Sequence, residues 1–263
     1  METQGLTQGA MALKPDLSLQ SIFITGAGRG LGRSMAMKLA NCGAAVAIVD
    51  VDAAACAAVA EEIRAAGGTA MALPADVANR SSVLDAAAKF AAARGRIDAV
   101  INNAMLLRYE PVEQVTEETL SRMTAIGING SVWGTQALLA HYDRERGGAI
   151  INMASPVAER GFPNTSAYSL VKGAIVTLTR VLAAELGPKG VRVNAIAPGS
   201  VPTPGALGLN DKAEYERRSR TIPLRRLGHE DDNAEACAFL LSPEASFING
   251  EILHVDGGIA AAG

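Results

Sequence analysis

Ser155, Tyr168 and Lys172 are the three side chains whose types and spacing can hold and move a proton. Residues four apart on a helix share a face, so Tyr168 and Lys172 of the stretch YSLVK point into one cleft if 165–187 is helical. A free phenol titrates near 10 and is a poor base at neutral pH, but an adjacent ammonium favours the phenolate. Ser155 lies thirteen residues before Tyr168, at the end of an apolar run, where its hydroxyl can bond a substrate oxygen and hold it beside the phenol. Each residue alone also has an ordinary reading: an amphipathic coincidence for the Tyr/Lys pair, a strand-end cap for Ser155.

A second constellation lies near the N-terminus, where TGAGRGLG puts Gly26, Gly28, Gly30 and Gly32 between an apolar run and a helical pattern. Backbone without Cβ atoms can approach a pyrophosphate closely, and the helix N-terminus behind it offers free N–H groups to the negative charge. Asp50 ends the next apolar run, eighteen residues after Gly32, where a carboxylate can bond the adenosine ribose hydroxyls. An oxidised nicotinamide beside Tyr168 would favour the phenolate further. Hydride then leaves the carbinol carbon while Tyr168 takes the hydroxyl proton, and reduction runs the same steps backward.

The elements that must position these groups alternate along the chain. Strand candidates are 21–25, 45–50, 69–73, 97–102, 149–154, 191–196 and 251–255; helical patterns cover 30–41, 53–66, 79–94, 116–145, 165–187 and 231–241. Such alternation predicts an α/β fold, a doubly wound and mostly parallel seven-stranded sheet with helices on both faces, Rossmann-like and in one domain. Residues 1–18 read as a loosely ordered tail and 19–263 as a dinucleotide-binding catalytic domain. The stretch 199–228, rich in Gly and Pro and then in Arg, reads as a lid-like loop over the site.

Taken together, TGAGRGLG, Asp76-Val77, NNAM at 102–105, Ser155 with YSLVK, APGSVPT at 197–203 and VDGG at 255–258 resemble the short-chain dehydrogenase/reductase family, in that family's order and over residues 20–258. The resemblance implies that Gly26, Arg29, Gly30, Leu31, Gly32, Asp50, Val51, Asp76, Val77, Asn103, Ala104, Pro198, Gly199, Val201 and Thr203 bind the cofactor, together with Tyr168 and Lys172. It implies that Lys172 holds the nicotinamide ribose, that Asn129 in GINGSVWG anchors a proton-relay water, and that the long helical stretches 116–145 and 165–187 pair subunits into a homotetramer. By the same resemblance Met105, Leu106, Leu107, Pro156, Val157, Phe162, Pro204 and Leu207 line the substrate pocket. The chain departs from the family at Met105, where the turn normally ends in glycine, and at Asn233, where the helix normally carries an apolar residue.

The implied activity is interconversion of a secondary alcohol and a ketone with NAD. Asp50 would repel a 2′-phosphate and no Arg or Lys follows in DVDAAAC, whereas Arg29 points toward NADP. Mostly apolar pocket residues favour a neutral substrate with hydrophobic surface. Arg217, Arg218, Arg220, Arg225 and Arg226 form a basic cluster that reads either as a solvated helix face with ion pairs or as a seat for an anionic acyl carrier. The enzymatic alternative is therefore an NADPH-dependent 3-oxoacyl-carrier reductase; the non-enzymatic one is a nucleotide-binding regulatory protein. A net charge of −3 over 263 residues argues against nucleic-acid and membrane partners. Cys42, Cys56 and Cys237 show no metal-ligand spacing and read as small buried hydrophobes of a reducing compartment, so no metal site and a cytoplasmic location are expected.

Overall fold

A computed structural model of the protein describes residues 15–206 and 212–262. Seven strands, β1 (Ser21–Thr25), β2 (Ala45–Asp50), β3 (Thr69–Pro74), β4 (Ala99–Asn102), β5 (Gly148–Met153), β6 (Val191–Pro198) and β7 (Ile252–Val255), form one sheet in the order β3-β2-β1-β4-β5-β6-β7. Every neighbouring pair is parallel. The eight helices among the described residues are α1 (Gly30–Asn41), α2 (Ala53–Ala65), α3 (Arg80–Arg94), α4 (Glu117–Thr124), α5 (Gly130–His141), α6 (Ser166–Leu186), α7 (Lys212–Thr221) and α8 (Glu230–Leu241). None of them is long and apolar enough to cross a membrane.

A parallel sheet needs cover on both faces, and the alternation inside each strand supplies it. Ile22, Ile24, Val46 and Ile48 pack with Met35 and Leu39 of α1 and Val59 and Ile63 of α2. Phe23, Ala47, Val49 and Val100 point the other way, onto Val83 and Phe90 of α3 and Ala137 and Leu138 of α5. Cys42, Cys56 and Cys237 are all buried and form no disulfide among the described residues, and they lie within the first of these layers.

Three sequence expectations change. The tail does not run to residue 18: Leu17 is 1% exposed and its N–H donates to the Cys42 carbonyl at 2.9 Å, so the packed unit starts before residue 19. Residues 1–14 lie outside the described residues. The single helix expected over 116–145 is α4 and α5 joined by a π turn at Ala125–Asn129. The segment 199–228 is not loop throughout, because α7 lies inside it; α7 buries no residue and so has no apolar stripe from which to be recognised. Asn233, which stands where an apolar residue is usual, is fully buried in α8, with its Nδ2 on the His229 carbonyl at 3.4 Å and its Oδ1 without a partner among the described residues.

Candidate active site

The strand order reverses between β2-β1 and β4, and ligands of doubly wound sheets bind at the carboxyl ends of the strands at that switch. A cleft of about 1390 Å³ opens there. Its floor is set by a small polar lattice that the sequence motifs only partly announced. Thr25, at the end of β1, accepts the N–H groups of Asn103 (3.0 Å) and Ala104 (3.2 Å) on its Oγ1; Asn103 Nδ2 donates back to the carbonyls of Thr25 and Gly26, both at 2.9 Å. The buried amides of Asn102 and Asn152 join β4 to β5 (2.8 Å), and Asn152 continues to Thr179 of α6 (2.9 Å). The loop after β4 is thereby fastened to the glycine turn on one side and to the helix of Tyr168 on the other.

The glycine turn serves two purposes. Gly26 has φ +64, and a Cβ there would stand 2.8 Å from Ala104 Cα, while a Cβ on Gly32 would run into the Gly26 carbonyl. These two glycines let the turn close on its own neighbours, and Gly32 does not line the cleft. Gly30, with φ +57, does line it. Behind Gly30, helix α1 begins with no side-chain cap and no acidic residue in its first turn. Gly30 and Leu31 of its first turn line the cleft, and the uncapped N–H groups of such a turn fit a pyrophosphate. At the rim, Asp50 accepts from Gly28 N (3.1 Å) on one carboxylate oxygen and from Asp52 N (3.1 Å) on the other. Each oxygen retains a lone pair for a ribose hydroxyl. The residues present therefore fit a dinucleotide. Of the positions expected to bind it, Gly26, Arg29, Gly30, Leu31, Asp50, Val51, Asp76, Val77, Asn103, Ala104, Tyr168, Lys172, Pro198, Gly199, Val201 and Thr203 all line the cleft.

The proton-handling residues are brought there by two elements. Ser155 follows β5, 8% exposed, with its Oγ 3.5 Å from Val157 N. Helix α6 buries Val171, Ile175, Thr179 and Ala183 along one stripe, and the same docking carries Tyr168 and Lys172 inward. Lys172 Nζ donates to the Met153 carbonyl at 2.5 Å and lies 5.5 Å from the centroid of the Tyr168 ring. Burial pushes the Tyr168 phenol well above its usual range, the nearby Tyr109 adds to this, and the Ser155 hydroxyl pulls it back. Burial also lowers the Lys172 ammonium to about 8. In the protein without cofactor, loss of solvation dominates the phenol, and the Lys172 ammonium is turned onto a carbonyl.

Asn129 does not join the group. It is exposed at the end of the π turn and does not line the cleft. Ala125 and Ile126 line the cleft from that turn instead, and Gly127 is buried against Met105: a Cβ on it would lie 2.9 Å from Met105 Sδ and overlap Val171 Cγ1. The motif GINGSVWG names an asparagine but not the helical phase, which the π turn sets so that Asn129 is exposed.

The substrate side of the cleft contains Met105, Leu106, Leu107, Pro156, Val157 and Phe162, as expected; Pro204 does not line it and Leu207 lies outside the described residues. Residues without a motif join them. Tyr109 packs edge-on against Tyr168 (centroids 5.7 Å apart), Arg122 contributes from α4, and Glu214, Tyr215, Arg217 and Arg218 contribute from α7. Ile259, from the C-terminal segment, lines this chain's own cleft. The arginine cluster divides: Arg217 and Arg218 face the cleft, whereas Arg226 pairs with Asp232 and Arg225 bonds the Arg220 carbonyl. Among the described residues no group of three or more His, Cys, Asp or Glu side chains is arranged to hold a metal ion.

Comparison with known proteins agrees with this architecture. The family model described as enoyl-(acyl carrier protein) reductase matches residues 26–260. The short-chain reductase protein NovJ of Streptomyces niveus is 37% identical over 89% of this chain and 92% of its own. A 3-oxoacyl-[acyl-carrier-protein] reductase of Staphylococcus epidermidis is 34% identical over 91% and 98%. Among solved structures, the 3-ketoacyl-(acyl-carrier-protein) reductase of Brucella melitensis complexed with NADH aligns with a TM-score of 0.85 at 36% identity, covering 92% of this chain and 98% of that one. The gluconate 5-dehydrogenase of Burkholderia cenocepacia in complex with NADP and tartrate aligns with a TM-score of 0.88 at 32% identity, covering 93% and 96%. With the seven-stranded sheet, the open glycine turn and this extent of similarity, the chain belongs to the short-chain dehydrogenase/reductase family of oxidoreductases.

Proposed function

We propose that the protein interconverts a secondary alcohol and a ketone with NAD(H). The observation that carries this reading is the single cleft in which Ser155, Tyr168 and Lys172 stand beside the uncapped N-terminus of α1 and the carboxylate of Asp50. The bound nicotinamide supplies or accepts the hydride. Tyr168, a phenol protonated at neutral pH and raised further by loss of solvation, is ready to give its proton to a carbonyl oxygen. Ser155 donates to the same oxygen and fixes it beside the phenol. Lys172, still charged at neutral pH, spends one N–H on Met153 and keeps two for the nicotinamide ribose, while its charge near the Tyr168 ring steadies the phenolate that forms when the proton leaves. Asn129 takes no part in this proton path, since it is exposed and does not line the cleft.

Asp50 supports NAD over NADP: its two oxygens are oriented by Gly28 and Asp52 and would meet a 2′-phosphate with repulsion. Arg29 lines the same end of the cleft and opposes this, and family members carry either cofactor, as the NADH and NADP complexes above illustrate. The carrier reductases among the relatives, at 34% and 36% identity, support a second reading in which the ketone is a 3-oxoacyl thioester.

Replacing Tyr168 with Phe tests the mechanism. The variant is expected to lose turnover of carbonyl substrates while NADH binding, followed by nicotinamide fluorescence, stays near that of the unaltered protein. Turnover that survives the substitution removes Tyr168 from the reaction.

A further inference from the structure

We propose that the substrate carries an anionic group remote from its reacting carbon, a carboxylate, sulfonate or phosphate, and that Arg218 holds it, with Arg122 and Arg217 lining the same cleft. This rests on the reading of the same cleft as a ketone and alcohol site. The inner wall near Tyr168 is apolar and aromatic; the outer wall is not. Three guanidiniums, Arg122, Arg217 and Arg218, line the cleft together with the Glu214 carboxylate, which bonds Arg217 and Arg218. That carboxylate is held at about 2 by its bonds to Arg217 and Arg218, so it stays ionised and the wall keeps its positive excess at every working pH.

Arg218 is the best formed of the three. Its side chain is 29% exposed, and its Nε donates to Glu214 Oε1 at 2.6 Å. That bond fixes the plane of the guanidinium, while its Nη groups meet no acceptor among the described residues. A planar donor fork oriented in advance, with its outer edge open, is the arrangement that binds a carboxylate or phosphate in bidentate fashion. Among the described residues Arg122 pairs with Glu118, at 3.9 Å, and adds a second loosely held cation from α4. Arg218 acts on the phenol of Tyr109, and Tyr109 packs edge-on against Tyr168. Tyr109 thus neighbours both the proposed anion seat and the proton donor, and all three line one cleft. The neutral substrate expected from the apolar pocket residues gives way to one that is apolar in the middle and charged at its far end.

The test uses the full chain with NADH and two pairs of probes: levulinate with its methyl ester, and phosphorylated acetoacetyl-pantetheine with the same thioester lacking its phosphate. The first pair presents a small free acid and the second an acyl-carrier arm, so the pair that discriminates more strongly identifies the source of the anion. In one of the pairs the charged member is expected to show kcat/KM about ten-fold above its uncharged partner, mostly in KM, and Arg218→Ala is expected to erase that ratio. Arg220→Ala, on the same helix but outside the cleft, is expected to preserve it. Equal kcat/KM for charged and uncharged members of both pairs, or a loss in Arg218→Ala that is the same for both members, overturns the proposal. Calorimetric binding of the four probes to the NADH-loaded protein separates the two readings. Charge-selective binding that disappears in Arg218→Ala without any turnover keeps the anion seat and removes the oxidoreductase reading; turnover without charge selectivity does the reverse.

Discussion

Lys172 Nζ lies 5.5 Å from the centre of the Tyr168 ring yet gives a hydrogen bond to the Met153 carbonyl, 2.5 Å away. Lys172 is buried and Tyr168 half-buried, and loss of solvation moves them in opposite directions: the phenol upward, the ammonium down to about 8. The protein by itself therefore holds Tyr168 as an acid, the form that carbonyl reduction needs.

The lowered Lys172 predicts a pH-dependent stability. Between about 8 and its usual 10.5 the unfolded chain holds this proton and the folded one does not, so folding becomes more favourable as pH rises through that window. Lys172→Met removes the effect. The unfolding free energy of the unaltered protein minus that of the variant is expected to grow by up to about 3 kcal/mol across the window. Urea unfolding of both proteins at several pH values measures it, and a flat difference counts against a buried, charged Lys172.

Asp50 predicts the cofactor. With its carboxylate oriented by Gly28 and Asp52, the unaltered protein is expected to prefer NAD. Asp50→Ala should weaken NADH binding about ten-fold and leave NADPH binding the same or stronger, since one charged hydrogen-bonding group is lost and the repulsion of a phosphate disappears. Titration of nicotinamide fluorescence with both cofactors reads this directly.

Gly127 predicts a packing cost. A methyl group there overlaps Val171 Cγ1 and crowds Met105 Sδ, in a cluster where Met123 and Val171 are fully buried. Gly127→Ala is expected to destabilise by about 1–3 kcal/mol and to raise KM as Met105 is pressed toward the substrate. Urea midpoints together with steady-state kinetics test both parts; an unchanged midpoint shows that the cluster has slack.

Asn129 predicts an absence of effect. Because its side chain is exposed and outside the cleft, Asn129→Ala should leave kcat and the pH profile as they are. A large fall in kcat would show that the π turn reorganises when substrate is present.

The sheet was legible because β-branched runs of five or six residues separated by Ala-rich helical patterns admit few arrangements besides a parallel sheet covered on both faces. Ser155, Tyr168, Lys172 and Asp50 were legible for a related reason: strand ends and a single helical turn fix where such side chains go. Where a residue's position depended on more than local spacing, reading failed. The π turn changes helical phase between α4 and α5 and carries Asn129 outward. Helix α7 is amphipathic in no hydrophobic sense, so only the fold reveals that Arg218 and Glu214 form a wall of the cleft.

The sequence by itself determined the order of elements, the open phosphate turn and the identity of the proton-handling side chains, because these follow from periodicity and from which atoms each residue carries. Tertiary structure alone decided their protonation and their company. Desolvation depends on what packs above and below a group, and the rim of the cleft is assembled from segments a hundred residues apart.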